Sequence, residues 1–264
     1  MRPPARALPP ALKVTDLSKM FGGLRAASNV SFEIPDGSLT ALIGPNGAGK
    51  TTVFNLITNL FRPSSGQIHF HGTRINDLSP GRIADLGLIR TFQTARVFPG
   101  MTTLENVLAG AHRHVRVHPI WQMLWAPRAR REERQLRDRA AAMLDLAGLS
   151  RFQDVAATDL PMGAQKLLEV VRALMAGPRL LLLDEPAAGL NDSETAELSA
   201  LLLAIQSAGV TIMVVEHNMS LVMGVADQVI VLDAGQIVAS GTPAQIQSDA
   251  RVIEAYVGQQ EVVV

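Results

Sequence analysis

The chain has 264 residues, close to half of them apolar, with 24 basic and 24 acidic side chains and no cysteine. That length and apolar content suit one large α/β domain, or one domain carrying an inserted subdomain, and exclude a largely disordered chain. Balanced charge removes any global pull toward nucleic acid, and the missing thiols exclude disulfides and thiolate metal sites, an absence in keeping with a cytoplasmic setting.

The opening MRPPARALPP carries four prolines and charge but no apolar segment, so residues 1–10 read as a loose extended arm rather than a secretory signal. Residues 12–17 and 30–34 read as short strands, the second alternating apolar with polar. Residues 38–43, SLTALI, form a β-rich run that stops at Gly44. A helix is expected from Lys50 to about Leu60, stopped by Pro63, with strands following at 67–70 and 88–90.

The middle of the chain changes character. From residue 103 to about 148 the pattern is helical, interrupted at Ala126-Pro127. Residues 128–149 place Leu136, Ala140, Met143 and Leu144 at helical spacing. We expect a helical subdomain over about 95–175, inserted into a single α/β domain that runs from 11 to 264. Strand-helix alternation then returns. Residues 163–176 and 193–206 read as helices, and 180–183 and 210–215 as fully buried strands. Residues 229–232 and 236–239 form a hairpin around Asp233-Ala234-Gly235, and 243–258 is a helical tail. No run approaches 18 apolar residues, so no membrane span is expected.

Gly44-Pro45-Asn46-Gly47-Ala48-Gly49-Lys50-Thr51, with Thr52 behind it, fits G-x-x-x-x-G-K-[ST] between a strand and a helix. The glycines let consecutive N–H groups curl around anionic oxygens, and the following helix adds its positive end. Lys50 is suited to the β- and γ-phosphates of ATP, and the Thr51 hydroxyl to Mg²⁺. Hydrolysis needs more: a second metal ligand and a group acting on water. Asp184 and Glu185 close the strand Leu180-Leu181-Leu182-Leu183. Asp184 suits the metal shell, directly or through water, and Glu185 is placed to orient or deprotonate the attacking water. The plainer reading makes the acidic pair a cap for the helix starting near Asp192.

With these motifs in hand, the chain resembles the nucleotide-binding subunits of ABC transporters over about residues 12–258. The resemblance implies a P-loop NTPase core with an antiparallel β layer and an inserted α-helical subdomain. Arg90-Thr91-Phe92-Gln93 looks like the Q-loop, which would give Gln93 a contact with Mg²⁺ or water and a link to the membrane partner. Ala187-Ala188-Gly189-Leu190-Asn191 stands where the D-loop does, and Val215-Glu216-His217 resembles the H-loop, with His217 on the γ-phosphate. Phe21 lies where the family places an aromatic against adenine. Leu160-Pro161-Met162-Gly163-Ala164-Gln165 occupies the place of the LSGGQ signature, through which Met162 and Gly163 would clamp the ATP of a partner cassette. Pro161 stands for serine and Ala164 for glutamine there. Pro161 has neither hydroxyl nor N–H to donate, leaving the Gly163 amide and the helix end as anion ligands.

RTFQ, the arginine-rich insert, DEPAAGLN, VEHNMSLVMGVAD and Val252-Ile253-Glu254-Ala255-Tyr256 narrow the resemblance to the ATPases of branched-chain amino acid importers, which related urea or amide importers share in large part. It implies a second cassette (identical or different), two membrane permeases, indirectly a periplasmic solute-binding protein, no nucleic acid, and a peripheral place on the cytoplasmic face of the inner membrane. A soluble ABC-type ATPase of repair or translation fits less well, lacking paired cassettes, long coiled coils or basic extensions. A binding module without turnover is disfavoured by the Lys50, Asp184 and Glu185 set. Between His112 and Arg139 there are eight arginines, three acids and both tryptophans. This insert reads as a solvated helical hairpin or as a face near membrane or permease. His112, His114 and His118 lack a carboxylate or thiolate to complete a metal site.

Overall fold

The structure is a computed structural model that describes residues 9–91, 97–111 and 127–257. Gln93, His112, His114, His118, both tryptophans and most of the N-terminal arm lie outside the described residues.

Among the described residues ten strands form two sheets. β1 (Leu12–Phe21), β2 (Leu24–Ile34), β4 (Ser65–Phe70) and β5 (Thr73–Arg74) make a four-stranded antiparallel layer in the order β2-β1-β4-β5. The six-stranded sheet has the order β10-β9-β3-β8-β7-β6, using β3 (Leu39–Ile43), β6 (Leu88–Arg90), β7 (Leu180–Asp184), β8 (Thr211–Val215), β9 (Gln228–Asp233) and β10 (Gln236–Gly241). Its pairs are parallel except β9 with β10. Every residue of β3, β7 and β8 is buried, the reason their sequences are near-continuous apolar runs.

The two-residue period divides the core. Leu181, Leu183, Ile212 and Val214 face one apolar cluster, and Leu180, Leu182, Met213 and Val215 face the other. The second cluster is filled by helix α1 (Lys50–Ile57) and the antiparallel layer, through Val53, Phe54, Leu56, Ile57, Leu12, Ile34 and Phe70. Burying each such side chain contributes on the order of 2 kcal/mol, so α1 is fixed by its packing rather than by its eight-residue propensity. The first cluster holds α3 (Thr103–Ala109), α4 (Pro127–Leu146), α5 (Met162–Met175), α6 (Asp192–Ser207), α7 (Met219–Val225) and the tail helices α8 (Pro243–Gln247) and α9 (Ala250–Val257).

Some boundaries differ from expectation, for physical reasons. α1 ends at Ile57, before Pro63 acts, because Asn59 takes a left-handed conformation at φ 53°. Leu60 N–H then donates to Asn55 O at 2.9 Å and Asn59 N–H to Leu56 O at 3.1 Å, a Schellman close. β1 and β2 extend to a hairpin at Gly22-Gly23, since register shifts after Val14 and Leu17 hide the alternation. α2 (Pro80–Asp85) and α7 were not expected, although Ser79 and Asn218 cap them by accepting from Arg82 and Leu221 N–H. The tail is two helices, divided at Ser248 and Asp249.

Candidate functional site

The phosphate loop leaves the end of β3 and enters α1 with positive φ at Gly44 (150°), Gly47 (79°) and Gly49 (100°). Two of these glycines are also demanded by space. A Cβ on Gly44 would lie 1.9 Å from Leu232 O, and one on Gly49 would lie 2.5 Å from Ala26 O. The loop is therefore wedged between β9 and β2. The β9–β10 turn closes the same seam: Gly235 N–H donates to Ala48 O at 2.9 Å, and Ser28 N–H donates to Gly235 O at 2.8 Å. Among the described residues no side chain caps α1, and its first turn carries no acid, which suits its N-terminal N–H groups to an anion.

Lys50 is buried and folds back on its own loop, donating to Gly44 O at 2.6 Å and Pro45 O at 2.8 Å. Burial pushes its ammonium below the usual lysine value, and the carboxylates of Glu185 and Asp184 act against that. A phosphate in the loop offers this cation stronger, charged acceptors than the two carbonyls.

Asp184 ends β7 almost fully buried, and Arg90 at the end of β6 donates to its Oδ2 from Nη2 at 2.7 Å. Glu185 follows in a left-handed conformation, φ 49°, which turns its side chain out of the strand's alternation. Its Oε1 lies 3.0 Å from His217 Nε2. The capping alternative for the acidic pair does not apply. Asn191 and Glu194 cap α6 in a reciprocal box, leaving Asp184 and Glu185 at the strand end.

A cleft of about 530 Å³ joins the loop to Glu185 and His217, lined by Phe21, Asn46, Gly47, Ala48, Gly49, Lys50, Thr51 and Thr52 as well; Asp184 is not part of the lining. Phe21 stands at its rim on the β1–β2 hairpin, its ring edge-on to Phe61 at 5.4 Å and under Lys19 Nζ at 5.0 Å. Gly44 and Pro45 hold the loop from behind through their carbonyls.

Met162 and Gly163 are not brought into this cleft. Met162 is 60% exposed at the start of α5, and Gly163 sits against Glu194, where a Cβ would lie 2.5 Å from Oε1. Pro161 caps α5 without a side-chain hydrogen bond. A second cleft, on the side of Leu146 and Arg151, is lined by Pro161, Ala164 and Glu194.

Glu216 is a residue that sequence reasoning passed over. It is 2% exposed, its Oε1 accepts from Ala187 N–H at 2.7 Å, and its Oε2 accepts from His217 N–H at 3.0 Å and Asn218 N–H at 3.2 Å. It ties the segment after Glu185 to the segment carrying His217. Glu216→Ala leaves these donors unmet, that of Ala187 in a buried place and the other two part-buried, and is expected to destabilise the chain by about 3 kcal/mol, read from the urea unfolding midpoint. A change below about 0.5 kcal/mol, the range of ordinary surface substitutions, would show the clamp to be energetically idle.

The sequence profile of the ABC transporter family matches residues 27–188, and that of the branched-chain amino acid ATP-binding cassette transporters matches 236–262. The chain is 42% identical over 251 residues to the high-affinity branched-chain amino acid transport ATP-binding protein BraF of Pseudomonas aeruginosa, covering 95% of this chain and 98% of that one. It superposes on the ADP conformation of an ATP-binding cassette of an ABC transporter with a TM-score of 0.82 at 31% identity, over 94% of this chain and 99% of the other. A dimeric cassette in a post-hydrolysis state with ADP and phosphate gives a TM-score of 0.74 at 25% identity, over 88% and 98%. The expected α/β P-loop core with an antiparallel layer and helical insert is thus the cassette fold, and the chain is an ATP-hydrolysing subunit. It belongs to the ABC transporter family, as one of its ATP-binding cassettes.

Proposed function

We propose that the chain powers import of branched-chain amino acids, with ATP cleaved in the cleft beside Lys50. The observation that carries the reading is the meeting of the phosphate loop with Glu185 and His217, 3.0 Å apart, at the carboxyl ends of neighbouring strands. Phe21 stacks on the base, and the N–H groups from Gly44 to Thr52 cradle the phosphates. Lys50 exchanges its loop carbonyls for β- and γ-oxygens. Glu185 takes a proton from water as the water oxygen bonds to the γ-phosphorus. The bond to the bridging oxygen breaks, leaving ADP and phosphate. His217 holds the Glu185 carboxylate and reaches the γ-phosphate.

Thr51, Asp184 and Gln93 form the set for Mg²⁺, which neutralises phosphate charge when bound. The donor chemistry fits: Asp184 Oδ1 is buried and has no hydrogen-bond partner among the described residues. Met162 and Gly163 serve the nucleotide of a second cassette, a reading supported by the exposure of Met162 and by the dimeric relative. Two permeases complete the transporter, fed by a periplasmic binding protein, with this chain peripheral on the cytoplasmic face. Among the described residues no helix is long and apolar enough to cross a membrane.

Deleting the chain from its host and measuring uptake of labelled leucine, isoleucine and valine tests the proposal. Loss of that uptake is expected. Intact branched-chain uptake with loss of urea or amide uptake would move the chain to those importers. In the assembled complex, Pro161→Ser is expected to keep or raise ATPase activity. It adds a side-chain cap to α5, worth about 1 kcal/mol, where none exists. A clear fall in phosphate release would show that proline serves the clamp better.

A further inference from the structure

Arg90 is not used by the chemistry above, yet both its terminal nitrogens are held beside the site, while its Nε is buried without a hydrogen-bond partner among the described residues. Its side chain is 10% exposed and that of Asp184 is 1%. Nη2 donates to Asp184 Oδ2 at 2.7 Å, and Nη1 donates to Asn55 Oδ1 at 2.7 Å and Thr58 Oγ1 at 3.4 Å. The guanidinium lies over the Phe54 ring, 5.4 Å from its centroid. Asn55, Phe54 and Thr58 belong to the last turns and cap of α1, the helix that the phosphate loop enters. One planar fork therefore joins the end of β7 to the far end of that helix. A lysine ammonium at the same place has no second arm of fixed direction.

The pair is also unequal in a telling way. Arg90 engages one oxygen of Asp184 and leaves Oδ1, buried, without a partner among the described residues. A dry carboxylate oxygen without a donor is costly, and a metal or its bound water removes that cost. With Oδ2 held by Nη2, rotation of the carboxylate is restrained, so Oδ1 favours one direction.

We propose that Arg90 is a positioning residue that locks Asp184 for Mg²⁺ and ties that lock to α1. The inference rests on the assignment of Asp184 to the metal shell. Arg90 acts through Asp184 and does not touch nucleotide. Its positive charge also opposes a nearby cation, so two effects compete, and the proposal commits to orientation as the larger.

The test is the affinity of the isolated chain for a non-hydrolysable ATP analogue, measured by calorimetry with Mg²⁺ and with EDTA. The ratio of the two affinities is the metal-dependent increment. Arg90→Lys should lower that increment about tenfold, the usual effect of losing a partner that orients a metal ligand, with metal-free affinity changed by less than about twofold. Asn55→Ala, which removes the nearer of the second arm's two acceptors and leaves Thr58 Oγ1, should lower it less, in the same direction, and remains readable if the Arg90 variant folds poorly. An increment that is unchanged or larger in both variants overturns the proposal, the larger value meaning that charge opposition wins. Equal loss of affinity with and without Mg²⁺ overturns it too, as a merely structural role. Asp184→Asn run in parallel separates the layers. If it abolishes the increment while Arg90→Lys does not, only the role of Arg90 falls. If it leaves the increment whole, the metal assignment of Asp184 falls and takes this inference with it.

Discussion

A Glu185→Gln chain will bind ATP within about threefold of the parent and release phosphate at least about 100-fold more slowly, the range spanned by a positioned general base. The substitution is close to isosteric, and glutamine retains an oxygen and gains an amide hydrogen, so either can meet the His217 ring now 3.0 Å from Oε1. The side chain is 21% exposed, and the left-handed backbone that presents it belongs to the turn rather than to the carboxylate. Stability is therefore expected to move by less than about 1 kcal/mol. What is lost is the proton acceptor. Single-turnover phosphate release, compared with equilibrium binding of a fluorescent nucleotide, reads the two effects separately. Turnover near the parental rate would remove Glu185 from the role of base.

Gly44→Ala is the second change with a large expected effect, and it acts by volume. Its methyl would stand 1.9 Å from Leu232 O and 3.3 Å from the Ala48 methyl, at a φ of 150° that suits glycine. The obstruction is backbone of a central strand, so no rotamer relieves it. A cost of about 3 kcal/mol or more is expected, with loss of nucleotide binding because β9 and the loop must part. Gly47→Ala is the internal comparison. It too has a positive φ, 79°, but among the described residues nothing lies within 4 Å of the added carbon. Only the conformational strain of about 1 kcal/mol remains there. Denaturant unfolding of both variants checks the difference. Equal destabilisation would mean that strain, not the Leu232 carbonyl, governs Gly44.

The parts of the fold legible in the sequence are those written as long or fully buried patterns. The runs LLLL and TIMVV announce β7 and β8 because a strand covered on both faces has no polar phase to obscure. The phosphate loop was legible because glycine, lysine and threonine at fixed offsets satisfy one backbone geometry. β1 was half read, since its register shifts break a period of two at the point where it bends toward Phe21. The two helices missed, α2 and α7, have six and seven residues, too few turns for a period to declare itself. The site shows the same division. Lys50, Asp184, Glu185 and His217 are named by neighbours in sequence. Glu216 and the Asn55–Arg90–Asp184 chain are named only by neighbours in space, for Arg90 stands 35 residues from Asn55 and 94 from Asp184. Neither set has a spacing that a sequence pattern records.

The seam at Ala26 has one last consequence. Its carbonyl lies under both Gly49 and Gly235, where added Cβ atoms would come within 2.5 and 3.0 Å. The Ser28 amide and the Ala48 carbonyl grip Gly235 from opposite sides. The antiparallel layer, the loop and the β9–β10 hairpin are thus geared at a single tooth. Tilting the layer against the parallel sheet drags the phosphate loop with it or strips the tooth. Phe21 rides on the same layer, so the grips proposed for base and phosphate turn on one shaft.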